Sequence, residues 1–451
     1  MTRTAVAISG GGHRACLWGL GALLYLADSG RNRQVTSIAS VSGGSLANGV
    51  VGQRLDYQAA TAPEVNGLVG SVSGRLAGRG TVFGWWGTYA YLLLMAASPV
   101  AIALLVWRLE PAWWLLALIT VAALTLWFVA LSLRGIVAGR AFEHTLLRAP
   151  GRPRTLEGLH TTLDHVICAT DLHAGEHVYF SGSWVCAYRF GLGGAGRLPL
   201  RRAVQASAAF PGVFPVAWVR TKRFAFGEAA DPKGSQAKFM GLVDGGVYDN
   251  MGDQWAHGLD SRRGRWPAAG FREADELIVV NSSAGMAWGP IWRLGVPLVG
   301  ELLALLRDKS VLFDNGTSVR RRELVSRFDL AAKTGSGLAG ALVHIPQSPF
   351  DVAEHFAGDA TDWPQRHARA LAVIAELEGG DADAARTTWS QVARENAAVK
   401  TTLVSFSPEV CARLLHHSYV LTMVNLHVVL GYPLLEIPDR QRFTELVAAN
   451  R

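Results

Sequence analysis

The sequence of 451 residues is poor in charge and in cysteine, and both shortages narrow what the protein can be. Only 18% of the residues are charged and 50% are hydrophobic, a balance at the apolar end for a soluble protein that indicates contact with lipid. The four cysteines, Cys16, Cys168, Cys186 and Cys411, form no CxxC pair. The sequence therefore predicts neither a zinc site nor a redox motif, and a reducing cytoplasm fits best.

Blocks of like charge are missing as well. The net charge is +7, and the basic residues are scattered with no run of five or six, so we expect no nucleic-acid partner. Basic residues gather around the apolar segment described below, where attraction to anionic lipid headgroups explains them. The apolar run at residues 4–8 is too short for a signal peptide and predicts a first strand. No motif for a metal or a cofactor is present, and we expect neither.

Two strand–turn–helix units open the chain. In each, a β-rich run of about six residues leads into a glycine turn and then into an apolar helical pattern. Strands are predicted at residues 4–9, 35–40, 165–170 and 276–281, and helices at 13–26 and from 45 to 51. Alternating units of this kind predict a layered α/β sheet.

Residues 56–140 interrupt this pattern and predict an insertion. Residues 88–106 and 113–133 contain no charge, and each run is near the ~20 residues that cross ~30 Å of hydrocarbon. A short polar turn with Pro111 joins them, so the sequence predicts a transmembrane helical hairpin. Aromatic side chains crowd its ends, as at membrane interfaces: Trp85, Trp86, Tyr89, Tyr91, Trp107, Trp113 and Trp114. The alternative is a pair of buried helices in a soluble protein.

The charges at the ends of this hairpin predict its orientation. Its tip has only Arg108 beside Glu110, whereas two arginines precede it and two follow it. These four are Arg75, Arg79, Arg134 and Arg140. Because cytoplasmic loops are rich in Lys and Arg, the α/β body is predicted to be cytoplasmic, on a membrane protein with two spans.

Ser42 is the candidate nucleophile. It lies in the run Ser40-Val41-Ser42-Gly43-Gly44, where a sharp turn from strand to helix would expose and orient its hydroxyl. The G-x-S-x-G pattern is only partly met, because position 40 is serine. Alone, such a turn is most often an ordinary loop.

A second glycine turn contains Gly10, Gly11 and Gly12, followed by His13 and Arg14. Free backbone N–H groups in such a turn converge on an anion, which is how an oxyanion hole is built. The competing interpretation is a phosphate-binding loop. Neither G-x-x-x-x-G-K-[ST] nor G-x-G-x-x-G is present, so nucleotide binding ranks low.

Asp244 is the candidate base. It ends the apolar strand Leu242-Val243-Asp244 and precedes two glycines, so a partly buried carboxylate there could take the serine proton directly. The competing interpretation is a turn aspartate, the commoner use of Asp-Gly-Gly. Asp249 is the rival base if the turn is built differently.

Taken together, these motifs resemble the patatin-like phospholipase family, which uses a Ser-Asp dyad, a glycine-rich oxyanion loop and a D-G-[GA] motif. Residues 169–175 and 203–215 also resemble that family. The resemblance implies a three-layer α/β/α sheet, with Ser42 as nucleophile, Asp244 as base and the glycines 10–12 as oxyanion loop. Ser40 and Ala15 depart from the family, where many members have glycine.

The remaining candidates are weaker. His13 and Arg14 are candidate substrate-binding residues, although His13 could simply face solvent or core, and Arg14 could orient the loop, bind a lipid phosphate or pair with a neighbour. His416 and His417 predict a helical surface pair and no metal site, because no Asp, Glu or Cys lies at ligand spacing.

The predicted organisation is a catalytic domain over residues 1–350, interrupted by the insertion, and a mainly helical cover over 351–451. The predicted function is a serine acyl hydrolase that cleaves fatty-acyl ester bonds of membrane lipids through an acyl-enzyme. Two alternatives remain open: an acyltransferase with the same dyad, and a catalytically silent lipid-binding scaffold. The lipid head group and the oligomeric state are not predicted.

Overall fold

A computed structural model describes residues 2–109, 112–285, 299–379 and 381–450; Glu110 and Pro111, in the predicted turn of the hairpin, lie outside them. The strands are β1 Thr4–Ile8, β2 Val35–Val41, β3 Asp164–Asp171, β4 Glu176–Phe180, β5 Trp184–Ala187, β6 Gly191–Gly194, β7 Ala217–Arg220, β8 Phe239–Asp244, β9 Glu276–Asn281 and β10 Ala339–His344. The helices are α1 Gly12–Asp28, α2 Gly43–Arg54, α3 Ala62–Gly78, α4 Trp86–Leu109, α5 Trp113–Ser132, α6 Arg134–Phe142, α7 Leu200–Ser207, α8 Pro232–Gln236, α9 Gln254–His257, α10 Leu259–Arg265, α11 Val299–Thr334, α12 Pro349–Ala357, α13 Pro364–Glu378, α14 Ala382–Ala397, α15 Pro408–Leu430 and α16 Arg440–Ala448.

The strands form one mixed sheet in the order β10-β9-β1-β2-β3-β4-β5-β6, with β8 on β3 and β7 on β8. Pairing is parallel from β10 to β3 and antiparallel beyond it. Four of the strands predicted from the sequence are β1, β2, β3 and β9, which belong to the parallel half, so the α/β sheet is confirmed. The predicted strand that ends at Asp244 is β8, which pairs antiparallel with β3. Strands β4 to β7 and β10 were not predicted.

Helices cover both faces of the sheet. Side chains alternate between the two faces along each strand, so the packing partners of neighbouring residues show what covers each face. On β1, Val6 and Ile8 belong to a core with α1, α2 and α15, whereas Ala5 and Ala7 belong to a second core with Phe328 of α11. The three layers expected for the sheet are therefore present.

The C-terminal region completes the core and is more than a cover. Helix α15 is buried along almost its whole length and crosses α1. The prediction that His416 and His417 form a surface pair is wrong, because both are buried on α15. His417 Nε2 lies 2.9 Å from the carbonyl oxygen of Gln347, and His416 contacts the carbonyl oxygen of Pro438. Among the residues that the structure describes, no three His, Cys, Asp or Glu side chains are grouped to hold a metal.

The segment that lies outside the core is shorter than the predicted insertion of residues 56–140. Helix α3 begins with a capping box between Thr61 and Glu64 and buries Val65, Val69 and Val72 in the main core. Helices α4 and α5, in contrast, have no buried residues in their apolar windows and are long and apolar enough to cross a membrane. They pair as a hairpin, in which the Tyr91 hydroxyl donates to the carbonyl oxygen of Ala130 at 3.1 Å.

The close crossing of α1 and α15 depends on Gly21. A Cβ there would lie 2.7 Å from the carbonyl oxygen of Leu415 and 2.8 Å from the Ser418 Cβ. Gly21→Ala should therefore lower the free energy of unfolding by about 1–3 kcal/mol through overpacking. Gly67→Ala is the matched control, because Gly67 lies in α3 with nothing within 4 Å of its Cβ position, and alanine there should gain up to about 1 kcal/mol. Denaturant unfolding of both variants in detergent tests this; equal effects would contradict the crossing.

Candidate active site

Ser42 occupies a strained turn between β2 and α2. Its φ is 52° and its ψ is −119°, and a positive φ is uncommon for a residue with a Cβ. Strain of this kind is concentrated at functional sites, where the surrounding structure holds it. Ser42 is also partly exposed, whereas Val41 and Gly43 are buried. The turn thus presents the serine hydroxyl at the end of the strand.

Hydroxyl groups hold this turn in place. The Ser42 N–H donates to Ser207 Oγ at 3.0 Å, and the Ser207 hydroxyl in turn donates to the carbonyl oxygen of Cys168 at 2.6 Å. Ser45 Oγ lies 2.8 Å from Ser207 Oγ. Helix α7, which carries Ser207, therefore fixes the turn to β3.

The same network explains serine at position 40. Ser40 is fully buried, its hydroxyl donates to the carbonyl oxygen of Val166 at 3.1 Å, and it accepts from Asn48 Nδ2 at 2.9 Å. Asn48 Oδ1 is 2.7 Å from His165 Nδ1. Because the buried Ser40 hydroxyl and Asn48 amide both have partners, a side chain at position 40 is compatible with the strained turn.

The two glycine turns touch through their backbones. A Cβ on Gly43 would overlap the carbonyl oxygen of Gly12, and a Cβ on Gly10 would lie 3.2 Å from the Ser42 Cβ. Gly11 and Gly12 have φ values of 142° and 60°, in the region that favours glycine. The glycine loop predicted as an oxyanion hole therefore lies directly beside Ser42.

The three glycines differ in their free N–H groups. The Gly10 N–H donates to the carbonyl oxygen of Asn250 at 2.9 Å, so it is not available to an oxyanion. In the described part of the chain, the N–H groups of Gly11 and Gly12 have no such acceptor, and both stand at the N-terminus of α1. Donors at a helix N-terminus suit a developing negative charge.

Asp244 reaches the same place because two strands end against each other. Strands β2 and β8 both pair with β3, and their last residues, Val41 and Asp244, lie opposite the consecutive residues Cys168 and Ala169. One residue of a strand rises only ~3.3 Å. The turns agree, since a Cβ on Gly245 would lie 3.2 Å from Val41 Cγ1. The ends of the two strands thus place Ser42 and Asp244 next to each other.

The Asp244 carboxylate is 4% exposed and is itself fixed. Its Oδ1 accepts from the Gly246 N–H at 2.8 Å, and its own N–H donates to the carbonyl oxygen of Ala209 at 3.0 Å. It therefore also caps the turn that follows, as the competing interpretation expected. Capping and proton transfer are compatible, because a carboxylate has two oxygens with about four lone-pair positions.

Asp249 is held differently. Its Oδ1 accepts from the Met251 N–H and its Oδ2 from the Gln254 N–H, each at 3.0 Å, and Arg320 Nη2 lies 3.6 Å from Oδ1. Burial alone would raise the pKa of this carboxyl, but Arg320 and His177 hold the pKa below its usual value. Asp249 is therefore a buried anion whose oxygens are bound by the turn and by Arg320.

Asn250 is a residue of the site that the sequence did not single out. Its side-chain oxygen lies against both turns, so that a Cβ on Gly10 would overlap it and a Cβ on Gly246 would lie 2.7 Å from it. Its Nδ2 donates to Ser283 Oγ at 2.6 Å. Its place at the end of the Asp-Gly-Gly segment, Asp244 to Asn250, is the signal that could have indicated it.

His13 points away from Ser42, unlike a substrate-binding residue. It is fully buried, with Nε2 2.8 Å from Thr81 Oγ1 and Nδ1 2.9 Å from the carbonyl oxygen of Val404. Burial lowers its pKa to about 4. Its ring ties the start of α1 to the segment before α4 and to the C-terminal region.

Arg14 binds the same C-terminal region. Its Nη1 donates to the carbonyl oxygen of Val399 at 2.5 Å, and its Nη2 lies 3.6 Å from the position of a Cβ on Gly11. Burial lowers its pKa to about 10. The guanidinium therefore supports the glycine loop from behind, one of the uses that the sequence left open.

Buried neutral histidines make the stability of this protein depend on pH. Burial lowers the pKa of His13 to about 4 and those of His165 and His417 to about 3. The unfolded chain binds protons below pH ~6.5 and the folded chain does not, so stability is complete above pH 6.5 and is lost as pH falls toward 4. The loss should be about 1 kcal/mol per histidine at pH 5.5.

His13→Gln should make this dependence shallower by one such contribution, since glutamine cannot take up the proton. Denaturant midpoints of both proteins between pH 7.5 and 5 measure the difference. Parallel curves would contradict the lowered pKa, because they would show that His13 takes up its proton at the same pH in the folded and the unfolded chain.

Known proteins resemble the chain at two levels. The family model described as Patatin-like phospholipase matches residues 6–252, which hold both glycine turns and Asp244. No curated protein matches the sequence. Among solved structures, the human GIVD cytosolic phospholipase A2 is 15% identical with a TM-score of 0.35, over 68% of this chain and 45% of that one. VipD from Legionella pneumophila is 11% identical with a TM-score of 0.29, over 100% of this chain and 88% of that one. Since the family model covers more than half of the sequence, the chain belongs to the patatin-like phospholipase family.

Proposed function

We propose that the protein is a serine acyl hydrolase of membrane lipids, with Ser42 as nucleophile and Asp244 as base. The observation that carries the proposal is the meeting of β2 and β8 on one edge of β3, which brings the strained serine and a buried carboxylate together. The glycine loop beside them supplies donors for an oxyanion. Membership of a phospholipase family supports a lipid ester as substrate.

The proposed reaction has two halves. Asp244 takes the proton of the Ser42 hydroxyl while Oγ attacks the ester carbonyl carbon, and the oxyanion accepts hydrogen bonds from the Gly11 and Gly12 N–H groups. One such donor is worth about 3 kcal/mol in the transition state. When the intermediate collapses, the proton passes from Asp244 to the leaving alcohol. Asp244 then takes a proton from water, which attacks the acyl carbonyl carbon, and the same proton passes to Ser42 Oγ as the fatty acid leaves.

Asp244 is the better candidate for the base because it lies at the end of β8, directly beside the end of β2 from which the strained Ser42 turn begins. Asp249 has both oxygens bound to backbone N–H groups and an arginine beside one of them, which stabilises the anion and weakens it as a proton acceptor. The strained conformation of Ser42 also favours an enzyme over a catalytically silent scaffold. The scaffold would have been favoured if Ser40 had disrupted the turn at Ser42. Transfer of the acyl group from Ser42 to an acceptor other than water remains the alternative for the second half of the reaction.

We further propose that α4 and α5 anchor this site in a membrane, with the α/β body on the cytoplasmic side. Both helices are exposed along their length and apolar enough to span. Isolated in water, their side chains would leave a very large apolar surface unburied, which soluble monomers rarely tolerate. The arginines at the base of the hairpin support the cytoplasmic orientation.

The dyad is tested by comparing Ser42→Ala and Asp244→Asn with the unmodified protein on phospholipid and acylglycerol esters. The rate of fatty-acid release by each variant should fall by about a thousandfold at least, since the nucleophile or its base is lost. Mass spectrometry of the released fatty acids, with and without added lysolipid, also separates hydrolysis from acyl transfer.

Asp249→Asn is the control for the choice of base. It should destabilise the turn but leave folded protein with measurable turnover. Full activity of Asp244→Asn together with an inactive but folded Asp249→Asn would reverse the assignment, and equal activity of Ser42→Ala would overturn the proposal.

The anchor is tested by carbonate extraction of membranes. The full chain should stay in the pellet, and a variant with residues 86–132 replaced by a short Gly-Ser linker should be released while keeping hydrolysis of a soluble ester. Release of the full chain by carbonate would identify α4 and α5 as peripheral helices.

A further inference from the structure

One exposed strip of the surface runs from the base of the hairpin along β7 and its neighbour. It starts at Val213, whose carbonyl oxygen accepts from Arg134 Nε at 2.7 Å, and at Pro215, which lies 3.4 Å from the position of a Cβ on Gly135 in α6. The loop after α7 is therefore in contact with the residues that end the second apolar helix. Val213 and Pro215 therefore lie at the base of the hairpin.

The strip continues with apolar side chains that face solvent. Val213 is 55% exposed and Trp218 is 63% exposed. Trp218 and Arg220 are two residues apart on β7 and point outward together, while the alternate residues Ala217 and Val219 are buried. Phe239, opposite Arg220 on β8, is also exposed. An exposed Trp beside exposed aliphatic residues is typical of a membrane interface.

The strip ends in a basic cavity of about 480 Å³. Arg220, Lys222 and Lys238 line it together with Phe239, and the Arg220 guanidinium lies 5.7 Å from the centre of the Phe239 ring. Within the described ranges, none of these three cations forms a salt bridge with a carboxylate. A cavity of this size accepts a small ligand, and unpaired cations favour an anionic one.

The strip also adjoins the proposed catalytic residues. Ser207 Oγ accepts from the Ser42 N–H and the carbonyl oxygen of Ala209 accepts from the Asp244 N–H. Residues 207–209 lead directly into the loop that contains Val213. The Val213 end of the strip is therefore close to the segment that binds the backbones of Ser42 and Asp244, and the cavity lies at the other end of β7 and β8.

From this continuity we infer that the strip of Val213, Trp218, Arg220, Lys222, Lys238 and Phe239 docks onto an anionic lipid leaflet. This inference rests on the proposed function. The apolar side chains enter the interface at the hairpin base, and the three cations bind the phosphate of an anionic headgroup in the cavity. The protein thereby holds its body against the leaflet, with the anionic headgroup at the end of β8 opposite to Asp244.

Contact with the leaflet is tested by a fluorescent label on the full chain in liposomes. The four native cysteines are buried, so a cysteine added at the surface can be labelled alone. Trp218→Cys carrying an environment-sensitive NBD group should be quenched by spin-labelled lipids and shielded from an aqueous quencher. Leu371→Cys on α13, 50% exposed, is the control and should behave in the opposite way. Equal behaviour of both labels would overturn the docking surface.

The cavity is tested by charge reversal in the same liposomes. The measured quantity is the ratio of fatty-acid release from phosphatidylglycerol liposomes to release from phosphatidylcholine liposomes. Lys222→Glu with Lys238→Glu should lower that ratio about tenfold or more. Lys333→Glu with Arg440→Glu reverses two exposed charges elsewhere and should leave the ratio unchanged. An unchanged ratio in the first pair would contradict headgroup binding in the cavity.

Hydrolysis of a soluble short-chain ester separates this inference from the proposed function. If Ser42→Ala abolishes hydrolysis of the short-chain ester while the label and the ratio show no docking, the proposed function is supported and the docking surface is contradicted. If Ser42→Ala has no effect on any ester, the proposed function falls, and the label alone then decides whether the surface meets lipid.

Discussion

The site depends on one close contact between two backbones. The turns after β1 and β2 pack so tightly that a Cβ on Gly43 would overlap the Gly12 carbonyl oxygen, and a Cβ on Gly44 would lie 2.6 Å from the Ile8 carbonyl oxygen. Only glycine permits this approach. Because of it, the free N–H groups of the glycine loop and the hydroxyl of Ser42 occupy the same end of the sheet. The positive φ of Ser42 is sustained by the bonds from α7 that surround it.

The chain on either side of this contact holds the same arrangement from several directions. His13 and Arg14 fasten the glycine loop to residues 399–404, and α15 buries the helix that follows the loop. From the other side, residues 207–209 bind the backbones of both Ser42 and Asp244. The loop that follows them meets the base of the hairpin at Arg134. A proposed membrane anchor and a proposed dyad are thus two ends of one continuous set of contacts.

Much of the fold and of the proposed site could be predicted from the sequence, because local residue patterns determine these features. The glycine turns, the β-branched strands of the parallel half and the two uncharged helices have local signals. The roles of Ser40 and Ser207 could not be predicted, since their hydroxyls are joined through Ser45 only in the folded chain. The same is true of His13 and His417, whose burial depends on distant segments. The use of Gly10 as a donor to Asn250 likewise required the packing of two separate turns.

The central claim is that Ser42 is a nucleophile activated by Asp244. The most direct test is peptide mass spectrometry of the folded protein after reaction with a long-chain alkyl fluorophosphonate, which modifies only activated serines. We expect one adduct, on Ser42, and a strongly reduced rate of adduct formation in Asp244→Asn. An adduct on another serine, or unchanged labelling of Ser42 without Asp244, would contradict it.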